Sequence, residues 1–516
     1  VVGTRRGRWL ALAVLVLPVL LISVDMTVLG FALPYLSEDL APSGTQQLWI
    51  VDIYSFVLAG LLVLMGTLGD RIGRRKLLLF GAVAFGVASV VAAFASTPEL
   101  LIAARALLGL GGATLMPSTL SLLRNIFLDA RERRLAIAVW SAGFSGGMAL
   151  GPVVGGWLLE HFWWGSVFLI NVPVMVLLLV AGPFLLPEAR DPAPGRFDPL
   201  SAVLSLGTML PIVYGIKDFA EHGLTAIGVG GVLLGLVLGT LFVRRQRSLT
   251  DPMIDLGLFG NRAFTVSVVT NVLGVFALVA LFFLVPQYLQ LVLGMRPMEA
   301  ALWLLPTTAA GVAGALLAAQ LAKHVDVGTL IGGGLLVSAA GFLALTQVGV
   351  ESGLAAVVAG FVVVGVGVAL AETLTNDLII SIAPPERAGA ASAISETGYE
   401  LGGALGTAVL GSIATAVYRG QFAAPEGVPA EAAGAAGETL GGAVATAQVL
   451  PGPLAEQVLG SAREAFVHGM QLTAVLGGAL LVYAGVQALL LLRQPRRASA
   501  LGRADGEPGR LEDHRD

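Results

Sequence analysis

Residues 9–33 read WLALAVLVLPVLLISVDMTVLGFAL, an otherwise continuous apolar run interrupted by a carboxylate, Asp25. A hydrocarbon core about 30 Å thick takes about 20 helical residues, so this run is long enough to cross a bilayer. A carboxylate at that depth is costly, which points to ion or substrate handling. The same question recurs at Arg105, Glu372, Glu396 and Glu400, all inside similar apolar stretches.

The remainder of the chain has the same character. Its 516 residues are 56% hydrophobic and only 12% charged, with a mean hydropathy of +0.85. Soluble domains carry about 25% charged residues, so this composition implies lipid as the solvent. The 67 glycines suit close helix contacts in a membrane, where small residues let backbones approach. The absence of cysteine excludes disulfides, thiol catalysis and cysteine metal sites. The net charge of −4 says little about partners. The first run lacks a small-residue cleavage site and further spans follow it, so it reads as a retained helix rather than a signal peptide.

Comparable runs occupy residues 49–68, 77–95, 99–123, 135–159, 165–186, 199–217, 224–243, 263–290, 298–320, 329–347, 354–374, 390–417 and 468–492, giving 14 candidate spans with the first. With the N-terminus inside, the tails and the loops after even-numbered spans carry all of the 30 Lys and Arg residues except Lys217, Arg296, Arg419 and Arg463 at the outer side and Arg105 within a span. The positive-inside rule then places both termini in the cytoplasm. The expected fold is an all-α polytopic membrane protein of two six-helix bundles plus two linker helices. Residues 1–190 form the first bundle, 191–247 a two-helix hairpin, 248–492 the second bundle and 493–516 a cytoplasmic tail. Two bundles suggest alternating access about a central site. A channel or receptor is the alternative, without a pore-loop signature here. The long outer loop, 418–467, has Ala-rich stretches around 429–448 and 453–467 separated by Pro451-Gly452-Pro453. It reads either as two short helices packed at the extracellular mouth or as a flexible Ala/Gly loop.

Several motifs carry mechanism. The loop after the second span reads Gly66-Thr67-Leu68-Gly69-Asp70-Arg71-Ile72-Gly73-Arg74-Arg75-Lys76. Its glycines allow a tight turn and Asp70 can hold a basic partner across the helix ends, a gating latch in which Gly69, Asp70, Arg71, Gly73 and Arg74 take part. A plain basic loop accounts for the Arg and Lys residues but not for the Gly and Asp spacing. In the fourth span Arg105 precedes Gly109, Gly111 and Gly112. A buried arginine needs a partner, and either Asp25 or backbone carbonyls can supply one. In the fifth span Gly147, Gly151 and Gly155 recur every fourth residue on one face, with Pro152 permitting a bend, a second candidate gating element.

Glu396 and Glu400 lie four residues apart on one face of the thirteenth span, with Tyr399 expected to point elsewhere. Two such carboxylates repel when both are charged, so a proton or an organic cation on one relieves the other. Alternatively one of them lies near the outer mouth and serves folding or gating. Candidate cavity aromatics are Tyr54, Trp140, Phe144, Phe283, Tyr288 and Trp303, with Trp49 beside them. Their faces can stack on a planar drug and stabilise a cation, and a lipid-facing role is the alternative for any one of them. Glu372 and Asp377 belong to an inner vestibule or to a wet helix end, and Asp52 is a weaker candidate for attracting cations. The histidines have no metal-ligand spacing, so no metal site is expected.

The Asp70 loop, the Arg105 segment, Gly151-Pro152 and Val24-Asp25-Met26-Thr27-Val28-Leu29 with Ala32-Leu33-Pro34 together resemble signatures of the major facilitator superfamily, in its fourteen-span drug:proton antiporter branch. The likeness extends through Thr45–Tyr54, Phe168–Pro173 and Ser395–Gly402 and covers nearly the whole chain. It implies a secondary active transporter rather than an enzyme, residing in the bacterial cytoplasmic membrane and exporting amphipathic, mainly cationic drugs, dyes and quaternary ammonium compounds. Asp25, Arg105, Glu396 and Glu400 are the expected proton-coupling residues, and Glu396 and Glu400 also the expected cation-binding ones. Its partners would be lipid, protons and cationic small molecules, with no nucleic acid and a monomer sufficient. No cofactor is expected: the chain has no ATP-binding loop, and a proton gradient would drive it. Where a member of the family has an acid after a Leu-Leu-Pro segment in its tenth span, this chain has Gly311 after Leu304-Leu305-Pro306, which favours monovalent cargo. The second-half counterpart of the Asp70 loop is degraded to Leu321-Ala322-Lys323-His324-Val325-Asp326, and its latch does not carry over. Export of a self-made antibiotic or metabolite is a close competitor. A nontransporting sensor or lipid-binding scaffold is a more distant one.

Overall fold

A computed structural model describes residues 5–190, 197–250, 252–351, 353–383 and 388–492; the expected tail at 493–516 lies outside the described residues. Among these the structure is helical throughout, with no strand. Fourteen helices, or pairs of nearly continuous helices, are long and apolar enough to cross a membrane, in agreement with the sequence reading.

The first seven spans run α1 (Arg5–Leu40), α2 (Gly44–Ile72), α3 (Arg74–Ala93), α4 (Pro98–Ile126), α5 (Ala130–His161), the short α6 (Ser166–Leu169) continuing into α7 (Asn171–Leu185), and α8 (Pro199–His222). They are followed by α9 (Ala226–Ser248), α10 (Arg262–Gln287), α11 (Pro297–Leu321), α12 (Val327–Leu345), α13 (Leu354–Ile382), α14 (Ala388–Gly406) with α15 (Ser412–Gln421), α16 (Ala430–Glu438), α17 (Leu440–Val449) and α18 (Gly452–Leu491). A π turn, Tyr288–Val292, extends α10, and another, Thr407–Gly411, joins α14 to α15.

Local chemistry sets the helix ends. Ser43 and Gln46 form a reciprocal capping box before α2, and Thr97 caps α4 with Pro98 at its first position, where a missing N–H costs nothing. Gly73 ends α2 at φ 113°, a region closed to most side chains, and the chain turns at once into α3. Gly223 at φ 73° does the same between α8 and α9.

Small residues set the packing. In the first bundle α1 lies on α5, where a Cβ on Gly147 would run into Ser23 and the Leu20 carbonyl, on Gly151 into Thr27, and on Gly155 into Val28. In the second bundle α12 and α13 touch backbone to backbone, with Gly334 opposite the Gly367 carbonyl and Gly341 opposite that of Gly360. Such close approach replaces the hydrophobic drive that lipid does not supply. The two bundles meet along α1 with α10, α2 with α14, and α5 with α11. The α8–α9 hairpin stands against α2 and the α14–α15 junction, where Phe56, Val213, Ala404 and Ala408 form a small apolar cluster. Leu233, Leu234, Leu236 and Val237 of α9 are exposed, as a lipid-facing helix requires.

The loop expected at 418–467 divides differently. Only its first Ala-rich stretch makes short helices, α16 and α17, whereas 453–467 is the beginning of the 40-residue α18. Pro451 and Pro453 frame the first turn of α18, a position proline tolerates, so they separate α17 from the last span rather than one short helix from another.

Candidate functional site

Arg105 projects from α4 into the first bundle, where it donates to the Asp25 carboxylate, to the Ile50 carbonyl at 3.0 Å and to the Val51 carbonyl at 3.4 Å. Its guanidinium lies 4.8 Å from the centre of the Tyr54 ring. Both charged side chains are 2% exposed. The two partners weighed from sequence, Asp25 and backbone carbonyls, are therefore both present. A planar guanidinium suits this role because its five N–H groups reach several acceptors at once.

Among the described residues, two adjoining cavities between the bundles hold intramembrane acids. The deeper one, about 80 Å³, is bordered by Asp52, Tyr54 and Arg105 of the first bundle and by Phe283 and Glu400 of the second. Of the residues that line it, Tyr54 Oη and Glu400 Oε1 are buried without a hydrogen-bond partner, as is Asp25 Oδ1 in the Arg105 ion pair. The larger cavity, about 530 Å³, is lined by Trp140 and Phe144 from α5 and by Glu372, Asn376 and Glu396 from α13 and α14. It lies toward the helix ends that carry the α2–α3 and α4–α5 connections, since Trp140 is early in α5, Glu396 early in α14 and Glu372 late in α13. Met148, Leu278, Phe282 and Tyr399 border both cavities and separate them.

These positions correct four expectations. Glu396 and Glu400 do not share one cavity: Glu396 faces the larger and Glu400 the deeper, because the cavities are stacked along α14 one helical turn apart. Tyr399 does not point away; it forms part of the wall between them. Tyr288 borders neither cavity, because its hydroxyl donates to the Gly349 carbonyl at 2.7 Å and pins the end of α10 to the α12–α13 connection. Trp303 is 43% exposed on α11 and also borders neither, so it takes the lipid-facing alternative. Of the other proposed aromatics, Tyr54 and Phe283 line the deeper cavity and Trp140 and Phe144 the larger one. Glu372 lines the larger cavity, whereas Asp377 does not.

At the end carrying the basic loop, Asp70 holds Arg74 across the α2–α3 turn, Nε to Oδ1 at 2.8 Å, with the Arg74 stem packed over Gly69. Arg75 reaches further: its backbone N–H donates to Glu188 at 3.1 Å and its guanidinium to the carbonyls of Pro183 at 3.3 Å and Leu186 at 3.0 Å. A Cβ on Gly73 would meet Glu188, so the turn and the end of α7 are fitted together. Arg71 is exposed in the last turn of α2. Asp326, in the degraded counterpart, accepts from the Thr329 N–H at 3.0 Å and caps α12.

The opposite end is closed. Gln47 donates to Gln287 at 3.5 Å and Gln290 to the Phe31 carbonyl at 3.3 Å, joining the bundles, while Gly441 of α17 packs against Ser37 and Pro34 of α1. Glu438 accepts from the Gly44 N–H at 3.4 Å and pairs with Arg419 at 3.3 Å.

One pair was missed. Lys217 of α8 is ion-paired with Asp52 of α2 at 2.8 Å, both side chains being fully buried. From sequence Lys217 counted only as an outer-edge charge. Its occurrence on the side otherwise poor in Lys and Arg, in a chain with an intramembrane Asp52, was the available signal.

The Major Facilitator Superfamily profile matches residues 15–407. The multidrug efflux pump LfrA of Mycolicibacterium smegmatis is 53% identical over 93% of this chain and 95% of its own length. The methyl viologen resistance protein SmvA of Salmonella typhimurium is 36% identical over 95% and 99%. Among solved structures, a bacterial homolog of the human lysosomal transporter Spinster superimposes with a TM-score of 0.65 at 17% identity, covering 96% of this chain and 100% of that one, a likeness of fold alone.

Proposed function

The chain belongs to the Major Facilitator Superfamily, and from that premise we propose that it exports amphipathic, mainly cationic drugs and dyes in exchange for protons. The observation that carries this reading is Glu400: a buried carboxylate with an unpartnered oxygen, placed between the bundles in a cavity that also holds the Arg105 guanidinium. A carboxylate in such surroundings takes up either a proton or an organic cation, and that competition is the core of an antiport cycle. The name of one relative, a multidrug efflux pump, supports drug export, and that of the other, a methyl viologen resistance protein, supports an organic cation as cargo.

In this reading the larger cavity faces the cytoplasm of a bacterial inner membrane and both termini lie on that side. Cargo enters between Trp140 and Phe144, meets Glu396, and passes Tyr399 to reach Glu400. Asp25 exchanges a proton when Arg105 shifts its contact, which ties the charge state of α1 to its packing on α5. The closed end with α16 and α17 opens as the α2–α3 turn and the end of α7 move together.

Purified protein in sealed liposomes with an imposed pH gradient tests the reading. Ethidium should move against its gradient with a counterflow of protons, and Glu400→Gln should weaken its binding about 10- to 100-fold, the share of one charge-assisted contact. Ethidium transport without proton counterflow, or unaffected by Glu400→Gln, would sink it.

A further inference from the structure

The hairpin between the bundles brings a charge to the deeper cavity. Lys217 Nζ of α8 lies 3.0 Å from Asp52 Oδ1 and 2.8 Å from Oδ2, and 3.7 Å from the centre of the Trp49 ring. Asp52 itself borders the deeper cavity, alongside Arg105 and Glu400. An ammonium held by a carboxylate and an aromatic face with no exposed surface is a fixed counter-charge rather than a mobile one.

The charges around the cavity then pair off. Arg105 matches Asp25, Lys217 matches Asp52, and Glu400 remains without a cation. We propose that Lys217 is a specificity-determining residue: by neutralising Asp52 it leaves the deeper cavity a single free carboxylate and restricts cargo to monocations. The proposal rests on the reading that cationic cargo reaches Glu400. A second positive charge on the cargo would enter a low-dielectric site without a partner, and apolar contacts do not offset such a charge. A mere tether for the hairpin would also explain a buried pair. That tether, however, does not require Asp52 to line the cavity, and it predicts no change in the valence of the cargo.

Lys217→Met keeps the apolar stem and removes the ammonium, exposing Asp52 as a second free carboxylate. Asp52→Asn combined with Lys217→Met removes both charges and returns the cavity to one. The full chain in proteoliposomes under a pH gradient is assayed with ethidium as the monocation and methyl viologen as the dication. The expected result is a rise of at least about tenfold in the methyl viologen to ethidium rate ratio for Lys217→Met, reversed in the double variant. An unchanged ratio in Lys217→Met with ethidium export retained overturns this inference alone, as does an equal rise in the double variant. A wild-type protein that moves neither cation overturns the underlying reading and this one with it. Should Lys217→Met fail to fold, Lys217→Gln is measured instead for equilibrium binding of the two cations in detergent, with the same ratio deciding.

Discussion

The hydroxyl of Tyr399 in α14 and the sulfur of Met148 in α5 lie 3.9 Å apart, one from each bundle, in the wall that separates the two cavities. Tyr399→Ala would join the cavities and let water run from one to the other. The expected outcome is a passive proton leak in proteoliposomes and uphill dye export reduced about tenfold or more, while Tyr399→Phe, which keeps the ring, stays close to wild type. Tight vesicles with full uphill export in the alanine variant would place the barrier elsewhere.

Asp25→Asn leaves Arg105 buried with carbonyl acceptors but no carboxylate. Removing one partner of a buried pair costs about 3–5 kcal/mol, and the Ile50 and Val51 carbonyls should hold the loss to about 3 kcal/mol. Thermal unfolding in detergent measures this, and the pH dependence of export should flatten in the same variant. Arg105→Lys is expected to fare no better, because a lysine lacks the planar fork that reaches Asp25 and the carbonyls together.

Gly151→Ala places a methyl group against Thr27 Oγ1. Overpacking of this kind costs about 1–3 kcal/mol, read as a lowered unfolding temperature. Adding Thr27→Ala removes the obstructing hydroxyl and should recover most of the loss. Failure of that rescue would mean that α1 and α5 are held apart by something other than this contact.

At the start of α8, burial pushes the Asp198 carboxyl up, but hydrogen bonds from Arg245 and Ser201, with the Arg245 charge, outweigh it and leave it below the usual aspartate range. A group whose folded value is depressed contributes stability above its unfolded pKa, about 3.9, and loses it as pH falls through the lower folded value. Amide protection factors in the first turn of α8 should therefore hold at pH 5 and fall only below about pH 4. Asp198→Asn should remove that acid dependence and speed exchange at neutral pH.

The spans were readable because lipid makes hydropathy nearly sufficient: each helix needs its length of apolar residues. Asp25 and Arg105 were readable as partners because two opposite charges deep in apolar runs have few other ways to be satisfied. Lys217 escaped because it lies near the end of its run, where hydropathy does not distinguish a wet helix end from a side chain folded inward onto Asp52. The spacing of Glu396 and Glu400 placed them on one face, but α14 passes two stacked cavities, so neighbours on that face open onto different spaces. Tyr288 and Trp303 were chosen for their rings alone, and a ring does not reveal whether it packs on protein, lipid or cargo.

The 40 residues of α18 form a helix about 60 Å long at 1.5 Å per residue, roughly twice the thickness of a hydrocarbon core. Its extra length ends beside α16, α17 and the Leu291 carbonyl, which accepts from Arg463 at 3.1 Å. The covering on the closed end is thus fastened to a lever. A tilt of the second bundle by about 10° would swing the tip of this rod about 10 Å relative to its base, so under the proposed alternating access opening and uncapping would be one motion instead of two, timed by the stiffness of the last span.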